Sequence, residues 1–129
     1  MSTFKSPEVL INKSAREFFN KISDLNNLKE ILPNDIRDFK STTTKCSFKM
    51  NDLPELVFEI SEKIKFSKIS FKAIDSQVPL SLNCYISESG NQCQARIEIE
   101  AELNMMMRMM IEKPLKSFLN IISTKLQKI

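Results

Sequence analysis

The chain has 129 residues, 42% of them hydrophobic and 27% charged, with a net charge of +3. That length suits one domain with a single substantial core, residues 1–129, and so mild a charge demands neither nucleic acid nor an anionic membrane. There is no histidine and only one glycine, Gly90, which removes the usual general base, the Ser-His and Cys-His nucleophile pairs, most catalytic zinc sites and any glycine-rich phosphate loop.

Three cysteines without metal-site spacing fit reduced thiols in a cytoplasmic protein. No signal-peptide pattern opens the chain. Its longest apolar runs are too short to span a bilayer.

Residues 3–12 contain Val9, Leu10 and Ile11 and read as a first strand, which Pro7 interrupts or confines to an edge. Ser14-Ala15-Arg16-Glu17 is a capping box, opening a helix with Phe18, Phe19 and Ile22 on its apolar face. Asp24 starts a second short helix carrying Leu25, Leu28, Ile31 and Leu32, which Pro33 and Asn34 stop.

From Ile36 the apolar period changes to two. Residues 37–42 predict a strand. Cys46, Phe48 and Met50 then alternate with Ser47 and Lys49, and Asn51, Asp52 and Pro54 mark a turn. Leu56, Phe58, Ile60 and Ile64 share a face of the next strand, on which Glu62 is the one charged position. Ile69, Phe71 and Ala73 fall on odd numbers, so a turn or bulge is expected at residues 66–68. After a connection at residues 75–79, Leu80, Leu82, Cys84 and Ile86 alternate cleanly, and Ser89-Gly90-Asn91 is a hairpin signal. The last strand places Cys93, Ala95, Ile97, Ile99, Ala101 and Leu103 on one face. Glu98, Glu100 and Glu102 read as its solvated outer row rather than a cation site. Cys84 and Cys93 share this hairpin without facing each other, so both are expected as free thiols.

The remainder, from Asn104, predicts one long helix capped by that asparagine. Leu115, Phe118, Leu119, Ile122 and Leu126 form a single apolar stripe. Burying it is worth at most roughly 10 kcal/mol, so it needs a surface to lie on. Pro114 interrupts the hydrogen-bond ladder and predicts a bend. Met105, Met106, Met107, Met109 and Met110 cluster where the first turns should meet the sheet.

This order, with Ser14-Ala-Arg-Glu17-Phe18-Phe19, Leu32-Pro33, and Leu103-Asn-Met-Met-Met-Arg-Met-Met110 before Lys113-Pro114-Leu115, resembles the START/polyketide-cyclase (SRPBCC) superfamily, especially its small bacterial single-domain members. The resemblance covers essentially the whole chain. It implies an α+β helix-grip fold, with a seven-stranded antiparallel curved sheet wrapped around a long C-terminal helix. Two short helices follow the first strand, and a hydrophobic cavity lies between sheet and terminal helix. Members of the family bind or transport lipids and other apolar molecules, or cyclise polyketides.

The expected function is binding, in transport or sequestration, of a hydrophobic or amphipathic small molecule such as a lipid, with no cofactor, metal or catalytic residue. The candidate lining is Phe48, Phe58, Ile60, Phe71, Leu82, Cys84, Ile97, Ile99, Met106, Met107, Met110 and Phe118, with Glu62 as an anchor. Two alternatives stay open. One is a cyclase- or dehydratase-like enzyme using Glu62, with Tyr85 or water. The other is a protein-interaction module using the methionines, for which a homodimer is one form. Lys63, Lys65, Lys68 and Lys72 lack interleaved aromatics, so no nucleic acid is expected. Stable membrane insertion is not expected either, since the terminal helix is needed as the sheet's cover.

Overall fold

The computed structural model describes residues 2–50, 55–74 and 79–129. The turn expected at Asn51, Asp52 and Pro54, and residues 75–78 of the next connection, lie outside the described residues.

Pro7 splits the expected first strand into β1 (Ser2–Lys5) and β2 (Val9–Ile11), both antiparallel to the last strand, β8 (Gln92–Ala101). Ser6 bridges the break: its N–H donates to the Ile97 carbonyl at 2.8 Å, and its hydroxyl accepts from the Ile97 N–H at 2.9 Å. A side-chain oxygen thus stands in where the ladder is interrupted beside a residue that has no N–H to give. The seven expected strands become eight by this division.

Ser14 caps α1 (Ala15–Ile22), accepting from the Glu17 N–H at 3.1 Å, and Phe18, Phe19 and Ile22 are buried. The expected second helix is a 3-10 helix, Leu25–Glu30, capped by Asp24 accepting from the Asn26 N–H. Asp24, Asn26 and Asn27 favour such local bonds over an α-helical ladder; Asn27 Nδ2 donates to the Lys21 carbonyl at 2.9 Å.

The remaining strands are β3 (Arg37–Ser41), β4 (Lys45–Lys49), β5 (Leu56–Ile64), β6 (Lys68–Ala73) and β7 (Leu80–Ser89). With β8 they form one antiparallel sheet in the order β1-β8-β7-β6-β5-β4-β3, and β2 also lies on β8. At the β7–β8 hairpin Ser89 pairs with Gln92, leaving a two-residue loop whose first residue, Gly90, has φ 64°; that is where such a loop requires glycine.

One expected feature moves. The irregularity expected at residues 66–68 divides into a bulge inside β5 and a separate turn. Ile60 lies opposite Phe71, but Glu62 lies opposite Ser70, so one extra residue carries the rest of β5 onto the other face. Ile64 accordingly emerges half exposed. The turn contains Phe66 at φ 65°, a left-handed conformation costly for a non-glycine residue. Its ring packs edge-on against Phe19 at 5.5 Å, which offsets that cost.

Asn104 caps α2 (Met105–Leu126), accepting from the Met107 N–H at 2.8 Å, and the helix runs on through Pro114. Phe118, Leu119, Ile122 and Leu126 are buried and Leu115 packs partly buried against the same core. Lys125 fixes the far end, donating from Nζ to the Leu32 carbonyl and to Asn34 Oδ1, both at 2.6 Å. Replacing Asn104 with alanine is expected to cost about 1 kcal/mol. Thermal denaturation should show that loss without a change of fold.

Candidate functional site

Strand alternation aims one side chain in two at α2, and antiparallel pairing lines those side chains up in rows. Phe71 faces Leu82, which faces Ile99; Ile69 faces Cys84, which faces Ile97. Phe48 and Phe58 stack at 6.1 Å between centroids on adjoining strands.

Between this face and α2 is a cavity of about 40 Å3. The sheet contributes Cys46, Phe48, Phe58, Phe71, Leu82, Cys84 and Ile97. α2 contributes Phe118, Ile122 and Leu126, and Ile22, Leu28, Ile31 and Leu32 close the helical end. A smaller hollow of about 20 Å3 lies among Met50, Leu56, Leu80, Ile99 and Leu115, and shares Phe58, Leu82 and Phe118 with the first. Those three side chains are the partition.

Among the described residues, no charged, hydroxyl or amide side chain lies in the wall of either hollow. The larger has about the volume of one water in the liquid, roughly 30 Å3, yet offers no polar side-chain partner to hold one. Both are far below the roughly 300–1,000 Å3 of a small-molecule pocket. The interior is closer to filled than the spacious cavity the resemblance implies.

The residues expected at the site divide accordingly. Phe48, Phe58, Phe71, Leu82, Cys84, Ile97 and Phe118 line the larger hollow, and Ile99 lines the smaller. Ile60 packs half-buried against the core beyond both hollows. Glu62 is corrected: the β5 bulge turns it away from the cavity face, and it pairs with Lys68 at 2.8 Å. The methionines are corrected too. Met106 and Met110 are 72% and 70% exposed, and Met107, partly exposed, lines neither hollow. Five methionines in six helical positions go right round the axis, and only the side of Met107, Ile111 and Leu115 continues the buried stripe. Cys46, Ile122 and Leu126 were absent from the expected lining, although the strand alternation and the helical stripe both mark them as inward.

On the opposite face of the sheet, Glu98 departs from the expected solvated row. It is only 9% exposed, receives Arg96 Nε and Nη2 at 3.0 and 2.9 Å, and has Lys5 beside it at 4.0 Å. Tyr85 lies between Lys68 and Arg96, 5.5 and 4.6 Å from its ring centre, and the hydrogen bond to Glu62 raises the Lys68 pKa. Ser70 donates to Asn83 Oδ1 at 2.6 Å in the same layer. This polar ladder is internally paired across the outer face of the sheet.

All three cysteines are free and buried. Burial pushes the Cys84 thiol up to about 12, with Cys93 adding to the effect, and pushes Cys46 up to about 11. Burial raises Cys93 as well. These are neutral packing groups, not nucleophiles. Among the described residues no cluster of three or more carboxylate, cysteine or histidine side chains could hold a metal, and no helix is long and apolar enough to cross a membrane.

No protein-family model matches the chain, and no curated protein does. Solved structures do. The protein XoxI from Bacillus cereus is 12% identical and superimposes with a TM-score of 0.76, covering 99% of this chain and 94% of that one. Norcoclaurine synthase from Thalictrum flavum, a point mutant in complex with a transition-state analogue, is 14% identical with a TM-score of 0.67, covering 99% and 98%. The di-domain ARO/CYC protein BexL from the BE-7585A biosynthetic pathway is 13% identical with a TM-score of 0.69, covering 98% of this chain and 46% of that one. This chain therefore has the helix-grip fold of the START/polyketide-cyclase superfamily.

Proposed function

We propose that the protein binds a small hydrophobic or amphipathic molecule between the curved sheet and α2. The observation that carries this reading is the lining: two adjacent hollows with wholly apolar walls, separated by Phe58, Leu82 and Phe118 alone. A ligand enters by moving that partition: rotation of Phe118 joins the hollows, which lie beneath Leu115 to Leu126 of α2. The first half of α2, before Leu115, carries none of the helix's buried side chains and is the part free to yield. Norcoclaurine synthase, on the same fold, is known in complex with a transition-state analogue, so this architecture accepts small organic molecules. The cyclase-like alternative depended on Glu62, which lies on the other face of the sheet, and among the described residues no polar side chain replaces it inside.

Native mass spectrometry of the protein, alone and mixed with a lipid extract, tests the reading. A one-to-one adduct of a few hundred daltons that raises the melting temperature is expected. An unliganded mass throughout, with no thermal shift from fatty acids, removes it.

A further inference from the structure

The first half of α2 has two apolar sides. One, Met107, Ile111 and Leu115, continues the buried stripe. The other carries Met105, Met106, Met109 and Met110, between 70% and 82% exposed. The second is an exposed apolar patch of a helix whose other apolar side is already used, and nothing among the described residues covers it. The same face ends in Lys113, one turn beyond Met109, and then Lys116. On its flank a groove of about 540 Å3 runs between α2 and the edge strand β1, with Lys5, Arg108, Glu112 and Lys116 as its charged residues and Phe4 and Leu119 among its apolar ones. Its one acid, Glu112, already pairs with Lys116 at 3.1 Å and Arg108 at 3.9 Å, so the groove is net positive. Glu102 before the helix and Asp35 on the opposite flank bound the patch.

We propose that this face docks on the surface of an anionic phospholipid bilayer, the four methionines entering the acyl boundary while Arg108, Lys113, Lys116 and Lys5 meet the headgroups. The sequence of features along the helix suits an interfacial position: thioethers, flexible and unbranched, fill an irregular apolar boundary, and lysine stems lie along it with their charges in the headgroup layer. The docking does not depend on a filled cavity, and its test uses no cavity ligand.

The test is cosedimentation of the full chain with vesicles of phosphatidylcholine and phosphatidylglycerol at two to one, against vesicles of phosphatidylcholine alone. Binding to the anionic vesicles that weakens with salt is expected. Met106→Ser with Met109→Ser and Met110→Ser should lower it at least roughly tenfold. Lys113→Gln with Lys116→Gln should lower it about fivefold per charge removed. Neither variant should change the melting temperature, because every altered side chain is exposed. Equal binding to neutral vesicles overturns the proposal, as does a serine variant that sediments like the parent. So does a dimer dissolved by the same serines in a protein that ignores vesicles, which assigns the face to a second copy.

Discussion

Phe118→Ala is expected to cost about 3–5 kcal/mol, the usual loss when a buried aromatic is cut back to a methyl, and to lower the melting temperature on the order of 10 °C. Phe118 is the only residue of α2 that walls both hollows. Its removal both deletes contacts and opens the partition. The destabilised protein should therefore have, with no movement of α2, a single preformed apolar cavity large enough for a small hydrocarbon. Such cavities stay dry and take up benzene-sized guests, so benzene or indole should recover part of the lost melting temperature in the variant and little in the parent. A variant that melts like the parent means the ring is not holding α2 to the sheet. Destabilisation without rescue by any apolar guest means the hollows do not join, and the binding reading loses its route. Ser117→Ala, one position away and exposed, is the control for effects on the helix itself.

Raising the pH above 9 should destabilise the protein through Cys84, and Cys84→Ala should flatten that loss. The thiol has an ordinary value of 9.0 and is pushed up to about 12 by burial. Between those values the unfolded chain releases the proton while the folded chain keeps it. The folded state binds more protons there, so stability is full below pH 9 and falls as pH rises towards 12. The span corresponds to a loss of about 4 kcal/mol from this one group. Cys46, pushed up to about 11 for the same reason, adds to the decline. Urea denaturation of parent and Cys84→Ala at pH 8, 9.5 and 11 measures it, the difference between the two slopes isolating the thiol from tyrosine and lysine titration. A variant that declines as steeply as the parent shows the thiol reaches solvent. The same burial predicts that a disulfide reagent leaves all three cysteines unmodified at pH 8 until denaturant is added.

Some misplacements share one cause, which Glu62 illustrates. Alternation by number puts it beside Ile60 and Ile64, and a slip of register anywhere before Ile69 satisfies the odd numbering that follows. Only the pairing of Ile60 with Phe71 and of Glu62 with Ser70 puts that slip inside β5. Glu98 looked solvated because its cover, Lys5 and Arg96, comes partly from β1, and that pairing spans almost the entire chain. The methionines were misplaced for a different reason. Their composition says apolar, but five in six positions contain no information about which side meets the sheet.

Local chemistry is what the amino-acid order settled unaided. Ser14, Asp24 and Asn104 each cap the helix expected of them because a cap needs only a side-chain oxygen and the next few N–H groups. Gly90 marks the hairpin, and the stripe through Phe118, Ile122 and Leu126 is the face that is buried. Tertiary structure alone decided the bulge, the pairing of Glu98 and the volume between sheet and helix. That volume is the small remainder left when side chains from the sheet, α1, the 3-10 helix and α2 meet, and a remainder of that kind depends on how all of them interlock rather than on any one spacing.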